Sequence, residues 1–207
     1  SEWNNIINAN KAVLELFHRG GGPAHINLET SYSKKRTETV LPVRIIRRYG
    51  MQDKLPEIKA KRICIFVGAH SHMADDLQKI ISEFCQKYNG IVLCDHTSNY
   101  RGKYRAFCNI VTGQYYWTSE IKKVDLMIHI GDISSSDYGI QAKEVWRVNP
   151  DGEIRDTFKK LTNVFEMPES LFFEYYSNIK SMLTDDELLK IYRKEESNIL
   201  KQLPELP

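Results

Sequence analysis

Apolar residues recur at helical spacing near the start of the chain, at Trp3, Ile6, Ile7, Val13, Leu14 and Phe17, which predicts a helix over 3–18 closed by Gly20-Gly21-Gly22. Ala24, Ile26 and Leu28 then alternate with His25 and Asn27, the period of a strand. No strand precedes this one to pair with it, and a sheet needs several. The expectation is that residues 1–28 complete an upstream domain, in a segment excised from a longer protein. Ser1 in place of Met and the end at Pro207 fit that expectation. From 29 to 58 the pattern dissolves into charged residues with scattered prolines (Pro42, Pro56), an extended interdomain connection. Val40-Leu41 and Val43 to Ile46 are placed to dock on a neighbouring domain.

A compact unit follows over 59–180. Ile63-Cys64-Ile65-Phe66-Val67 is an uninterrupted apolar run, the pattern of a strand buried on both faces. Gly68 turns the chain and Ser71 is positioned as N-cap. Asp75-Asp76 suit the positive end of a helix that buries Met73, Leu77, Ile80, Ile81, Phe84, Cys85 and Tyr88 and stops at Asn89-Gly90. Ile91 to Cys94 is the next strand, so the two should run parallel. After a polar loop come a weak strand at Ala106 to Val111, a short helix at Ser119 to Lys123, and strands at Val124 to Ile130, Glu144 to Val148 and Val164-Phe165. Ser134-Ser135-Ser136 offers a further N-cap. Pro168 opens a helix burying Leu171, Phe172, Tyr175, Ile179 and Leu183. Thr184 with Glu187 forms a capping box for a last helix, with Leu188, Tyr192, Ile199 and Leu203 on one side, a tether over 181–207. The fold class is α/β: a three-layer open parallel sheet with helices on both faces.

Composition narrows function mainly by exclusion. Of 207 residues, 29 are basic and 27 acidic, and the net charge of +2 argues against a nucleic-acid partner. No apolar run reaches the ~20 residues of a membrane span. The cysteines Cys64, Cys85, Cys94 and Cys108 form no C-x-x-C pair and read as small core hydrophobes in a reducing, cytoplasmic setting.

Ligands of open parallel sheets bind at the carboxyl tips of strands. The polar tips here are 68–72, 95–99 and 131–134, which makes Gly68, Ser71, Asp95, Ser98, Gly131, Asp132 and Ser134 the candidate ligand shelf. None carries a dinucleotide or P-loop glycine pattern. His70 and His72 bracket Ser71, and His96 adjoins Asp95; these read as exposed loop histidines rather than a dyad or metal site. His129 reads as a satisfied core histidine, Tyr115-Tyr116-Trp117 as packing, and Trp146 as core or interface. No catalytic and no metal-binding residue is expected.

Gly22-Pro23-Ala24-His25-Ile26-Asn27 resembles the G-P-[VA]-H-[LI]-N strand that ends the pyrimidine-binding domain of thiamine diphosphate-dependent 2-oxo acid decarboxylases and carboligases. Gly68 to Ser71, Asp95 to Ser98 and Val124 to Ser135 are similar to the central domain of one branch, the 2-succinyl-5-enolpyruvyl-6-hydroxy-3-cyclohexene-1-carboxylate synthases of menaquinone biosynthesis. The lysine-, arginine- and tyrosine-rich 95–118 loop and Asn149 depart from that pattern, which keeps an acetolactate synthase-like parent open. The resemblance implies a parent transferase that uses thiamine diphosphate and Mg²⁺, decarboxylates 2-oxoglutarate, adds the resulting succinyl carbanion to isochorismate, and forms a homo-oligomer. It implies that the activating glutamate and the G-D-G segment lie in missing upstream and downstream domains. This fragment would then hold no cofactor, be inactive alone, and serve as scaffold and interface. The different class left open by the residues themselves is a free-standing nucleotide- or effector-binding module.

Overall fold

The computed structural model describes residues 2–29, 32, 43–107, 111, 122–132, 139–179 and 186–203. Helix α1 (Glu2–Glu15) leads through a short 3-10 turn into the glycines. The strands are β1 (Arg47–Gly50), β2 (Ile63–Val67), β3 (Gly90–Cys94), β4 (Arg105–Phe107), β5 (Lys123–Ile130), β6 (Gln141–Val148) and β7 (Leu161–Glu166). The helices are α2 (Asp75–Tyr88), α3 (Glu169–Asn178) and α4 (Glu187–Leu200). The strands form one sheet in the order β1-β7-β6-β5-β2-β3-β4, every pair parallel.

The apolar runs dictate this arrangement. β2 and β3 are buried along their whole lengths, as strands covered on both faces must be. Side chains alternate between faces. On one face Trp146 and Phe165 meet Tyr176 and Phe172 of α3, and Phe84 of α2 meets Phe173 and Tyr176. On the other, Phe158 from the β6–β7 connection sets its edge against Phe66 and His129. α2 ends as its sequence predicts, with Asn89 left-handed at φ 51° and its N–H bonded to the Cys85 carbonyl.

Several expectations change. Ser71 does not cap α2; residues 72–74 form no regular structure, and the capping position falls to Ala74, which has no side-chain bond to give. Arg47–Gly50, expected as connection, is the edge strand paired with β7. Residues 24–28 form no strand; Pro23 to Asn27 instead line a cavity with Asn8, Lys11, Ala12 and Glu15 of α1. α3 buries Phe172, Phe173 and Tyr176, while Leu171, Tyr175 and Ile179 are partly exposed. The tether helix α4 packs on β3 and β4 and buries Leu188, Leu189 and Tyr192. The expected features at Val40-Leu41, Cys108, Tyr115 to Trp117, Ser119 to Ile121, Ser134 to Ser136, Leu183 and Thr184 lie outside the described residues.

Polar bonds dock α1 on the sheet's β1 edge. Asn10 accepts from the Ile46 N–H and donates to the Arg44 carbonyl. Trp3 donates to Asp156, whose buried carboxylate also pairs with Arg44 at 2.7 Å. His18 lies between Glu15 and Glu166, and Arg19 also pairs with Glu166. Large apolar side chains of this segment are uncovered among its exposed polar ones: Phe17 is 84% and Leu28 81% exposed.

Candidate functional site

The chain lays β2, β3 and β4 outward in one direction, then returns to place β5 on the other side of β2 and continues to β6 and β7. The order therefore reverses between β2 and β5, and the crevice beyond their carboxyl ends is where such sheets take ligands. Gly68 and Gly131 lie on either side of it.

Here the two tips close on each other. The Gly68 N–H donates to the Ile130 carbonyl at 3.0 Å, and the Asp132 N–H to the Ala69 carbonyl at 2.8 Å. Gly131 makes this turn at φ +72°, a conformation that favours glycine, and a Cβ at Gly68 would overlap the Asp132 carbonyl oxygen. The third tip joins through His70, whose N–H donates to the Thr97 carbonyl, and through Asn99, whose side chain donates to the His70 carbonyl.

Within the crevice, Glu169 in the first turn of α3 occupies the position of an anion. One carboxylate oxygen accepts from the Gly131 N–H at 3.3 Å; the other lies 3.0 Å from His70 Nε2. The Glu169 and His70 side chains are only 11% and 15% exposed. His70 Nδ1 faces the Ser71 carbonyl at 2.8 Å, so both ring nitrogens face acceptors and the imidazolium is favoured. Glu169 accordingly raises the His70 pKa, against the opposing effect of burial.

The candidate shelf residues are therefore divided. Gly68, Gly131 and Asp132 come together. Asp95 is spent on its own turn, accepting from the Thr97 N–H and hydroxyl, and buried Ser98 donates to the Asp95 carbonyl. Asp132 is exposed and pairs with Arg155 at 2.9 Å. Ser71, His72 and His96 are exposed, and Ser134 lies outside the described residues. His70, expected as an exposed loop histidine, is instead held in the crevice.

One strand over, β5 and β6 carry a different polar group. Arg147 is fully buried and His129 is 1% exposed. Arg147 Nη1 donates to the Gly131 carbonyl at 3.2 Å and faces His129 Nδ1 at 3.3 Å. Arg147 Nε and Nη2 and His129 Nε2 have no hydrogen-bond partner among the described residues. His129 is thus buried as expected, with Nδ1 facing Arg147 and Nε2 without a partner among the described residues. Burial first, and the Arg147 charge second, push its pKa down to about 3. The unmet guanidinium edge has the geometry to take an anionic oxygen or an ordered water. Sequence reasoning passed over Glu169 and Arg147, although a charge inside the apolar run Val145-Trp146-Arg147-Val148 is itself a signal, since arginine is seldom fully buried.

Among the described residues no group of three His, Cys, Asp or Glu could hold a metal ion, and no helix is long and apolar enough to cross a membrane.

No family model matches the chain. Among curated proteins it is similar to the 2-succinyl-5-enolpyruvyl-6-hydroxy-3-cyclohexene-1-carboxylate synthases of two Bacteroides fragilis strains, each 30% identical over 239 residues. That of Bacteroides thetaiotaomicron is 26% identical over 225 residues. The first two alignments take in 100% of this chain but 40% of the relative, so the chain spans less than half the length of the proteins it matches.

Proposed function

We propose that this chain is the central α/β domain of a thiamine diphosphate-dependent synthase of the menaquinone pathway, and that it scaffolds catalysis rather than performing it. The observation that carries this reading is the alignment of 99–100% of the chain with 39–40% of the length of proteins that all bear one name. In this reading residues 1–28 are the end of a pyrimidine-binding domain, 29–58 the connection, 59–180 the central domain and 181–207 the passage to a diphosphate-binding domain. The uncovered apolar side chains of Val13, Phe17 and Leu28 support it, because such a surface is normally buried by a partner. Thiamine diphosphate and Mg²⁺ would be bound by the flanking domains of a cytoplasmic homo-oligomer, which would join the succinyl unit of 2-oxoglutarate to isochorismate.

Two measurements on the natural gene test this. Its reading frame should encode an activating glutamate before this segment and a G-D-G…N segment after it. The full product should consume 2-oxoglutarate with thiamine diphosphate, Mg²⁺ and isochorismate, while residues 1–207 alone should not. A frame lacking both flanks, or turnover by the segment alone, would refute the proposal.

A further inference from the structure

We infer that the Glu169 carboxylate is a built-in occupant of the oxyanion position at the β2–β5 switch point, so that this crevice accepts a small oxyanion only when Glu169 is taken away. This does not depend on the parent enzyme's identity. It rests on three features that converge on one carboxylate. The Gly131 N–H and the His70 imidazole, two donors from different strand tips, both point at Glu169. The strand tips are zipped by the Ala69–Asp132 bridge, leaving backbone in contact where a ligand would need space. Both partners of the pair are largely removed from water, where a charge-assisted hydrogen bond is strong and an unpaired charge costly.

The groups facing His70 are consistent with one bound anion. Glu169 of α3 is in direct contact, Asp132 beyond β5 adds a weaker attraction, and Ser71 supplies its carbonyl. Asp132 itself points outward to Arg155 and does not enter the crevice. A free acetate or phosphate would need the place that Glu169 holds, and would meet that carboxylate's negative charge.

The test compares the wild-type chain with Glu169→Ala and Glu169→Gln. Glu169→Ala should lower the Tm by about 3–12 °C, from the loss of a charge-assisted bond worth ~1.5–3 kcal/mol at ~2–4 °C per kcal/mol. Sodium acetate or inorganic phosphate should restore much of that loss, while sodium chloride at matched ionic strength should not; neither anion should shift the wild type beyond the chloride control. A second readout does not need the alanine variant to fold. The His70 imidazole resonance should titrate above pH 6.5 in the wild type and return to the ordinary range in Glu169→Gln, whose amide can still accept from Gly131. Equal stabilisation of wild type and variant by phosphate, or a His70 titration unchanged by Glu169→Gln, would overturn the inference.

Discussion

The two polar groups at the carboxyl end of β5 lie on the same backbone turn and are treated oppositely. His70 and Glu169 meet across the β2–β5 crevice, with both ring nitrogens of the histidine bonded. Arg147 and His129, one strand further, leave three polar atoms without partners among the described residues. Gly131 serves both, its N–H facing Glu169 and its carbonyl facing Arg147. The difference teaches that burial does not by itself define a functional position. A buried charge whose partner is in the chain holds the fold, whereas a buried charge without one opposes it.

The largest effect should come from forcing the shared turn apart. In Gly68→Ala the new methyl overlaps the Asp132 carbonyl, so backbone rather than a flexible side chain must give way. A loss of about 3 kcal/mol or more is expected in urea unfolding, at the upper end for overpacking. A loss under ~1 kcal/mol would mean that the two tips are not locked together.

Next in size is the pH dependence of the His70 pair. Glu169 raises the folded-state pKa of His70 above its ordinary 6.5. The contribution is therefore complete below pH 6.5 and is lost as pH rises through the raised value. Urea midpoints of the wild type should fall over that window more than those of His70→Gln. Parallel curves would mean that His70 carries no proton in the crevice.

How much of this was legible beforehand depends on whether local pattern or tertiary partners decide each feature. The strands at 63–67, 91–94 and 124–130 were readable because short, predominantly apolar runs, each with a glycine at one end, have few other uses. β1 was not, since Val43 to Tyr49 is half charged and becomes a strand through its pairing with β7. The inward face of α3 was misjudged because Leu171, Phe172, Phe173, Tyr175, Tyr176 and Ile179 surround the helix. The contacts of Phe172 with Phe165 and of the Tyr176 hydroxyl with the Pro56 carbonyl decide among them. The crevice between the tips of β2 and β5 could be foreseen from strand ends, but Glu169 reaches it from 38 residues beyond Gly131. Spacing alone cannot reveal such a long-range partner.

A smaller change, of the opposite sign, separates the two groups. Arg147→Met keeps the length and apolar stem of the side chain and removes two donors, Nε and Nη2, that have no acceptor among the described residues, together with the Nη1 bond to the Gly131 carbonyl. Stability should stay level or rise by on the order of 1 kcal/mol. The corresponding removal of Glu169 should be destabilising. If Arg147→Met instead loses several kcal/mol, its guanidinium is satisfied by water or an anion in solution, and the contrast with His70 disappears.

The smallest effect expected is an absence of movement. Burial and the neighbouring Arg147 charge hold the His129 pKa near 3, so its ring should stay neutral and its imidazole resonances fixed between pH 5 and 8. Its linkage runs opposite to that of His70: because the folded pKa is depressed, stability is lost as pH falls below 6.5, where the unfolded chain takes up a proton that the folded chain refuses. The half-buried His70 and the buried His129 should thus penalise opposite ends of the pH range. Observing His129 by NMR in the wild type and in Arg147→Met apportions the cause. Burial ranks first, so the resonances should remain fixed over pH 5–8 in the variant as well. A His129 that titrates near 6 only after Arg147 is removed would make charge repulsion, rather than desolvation, the force that keeps it neutral.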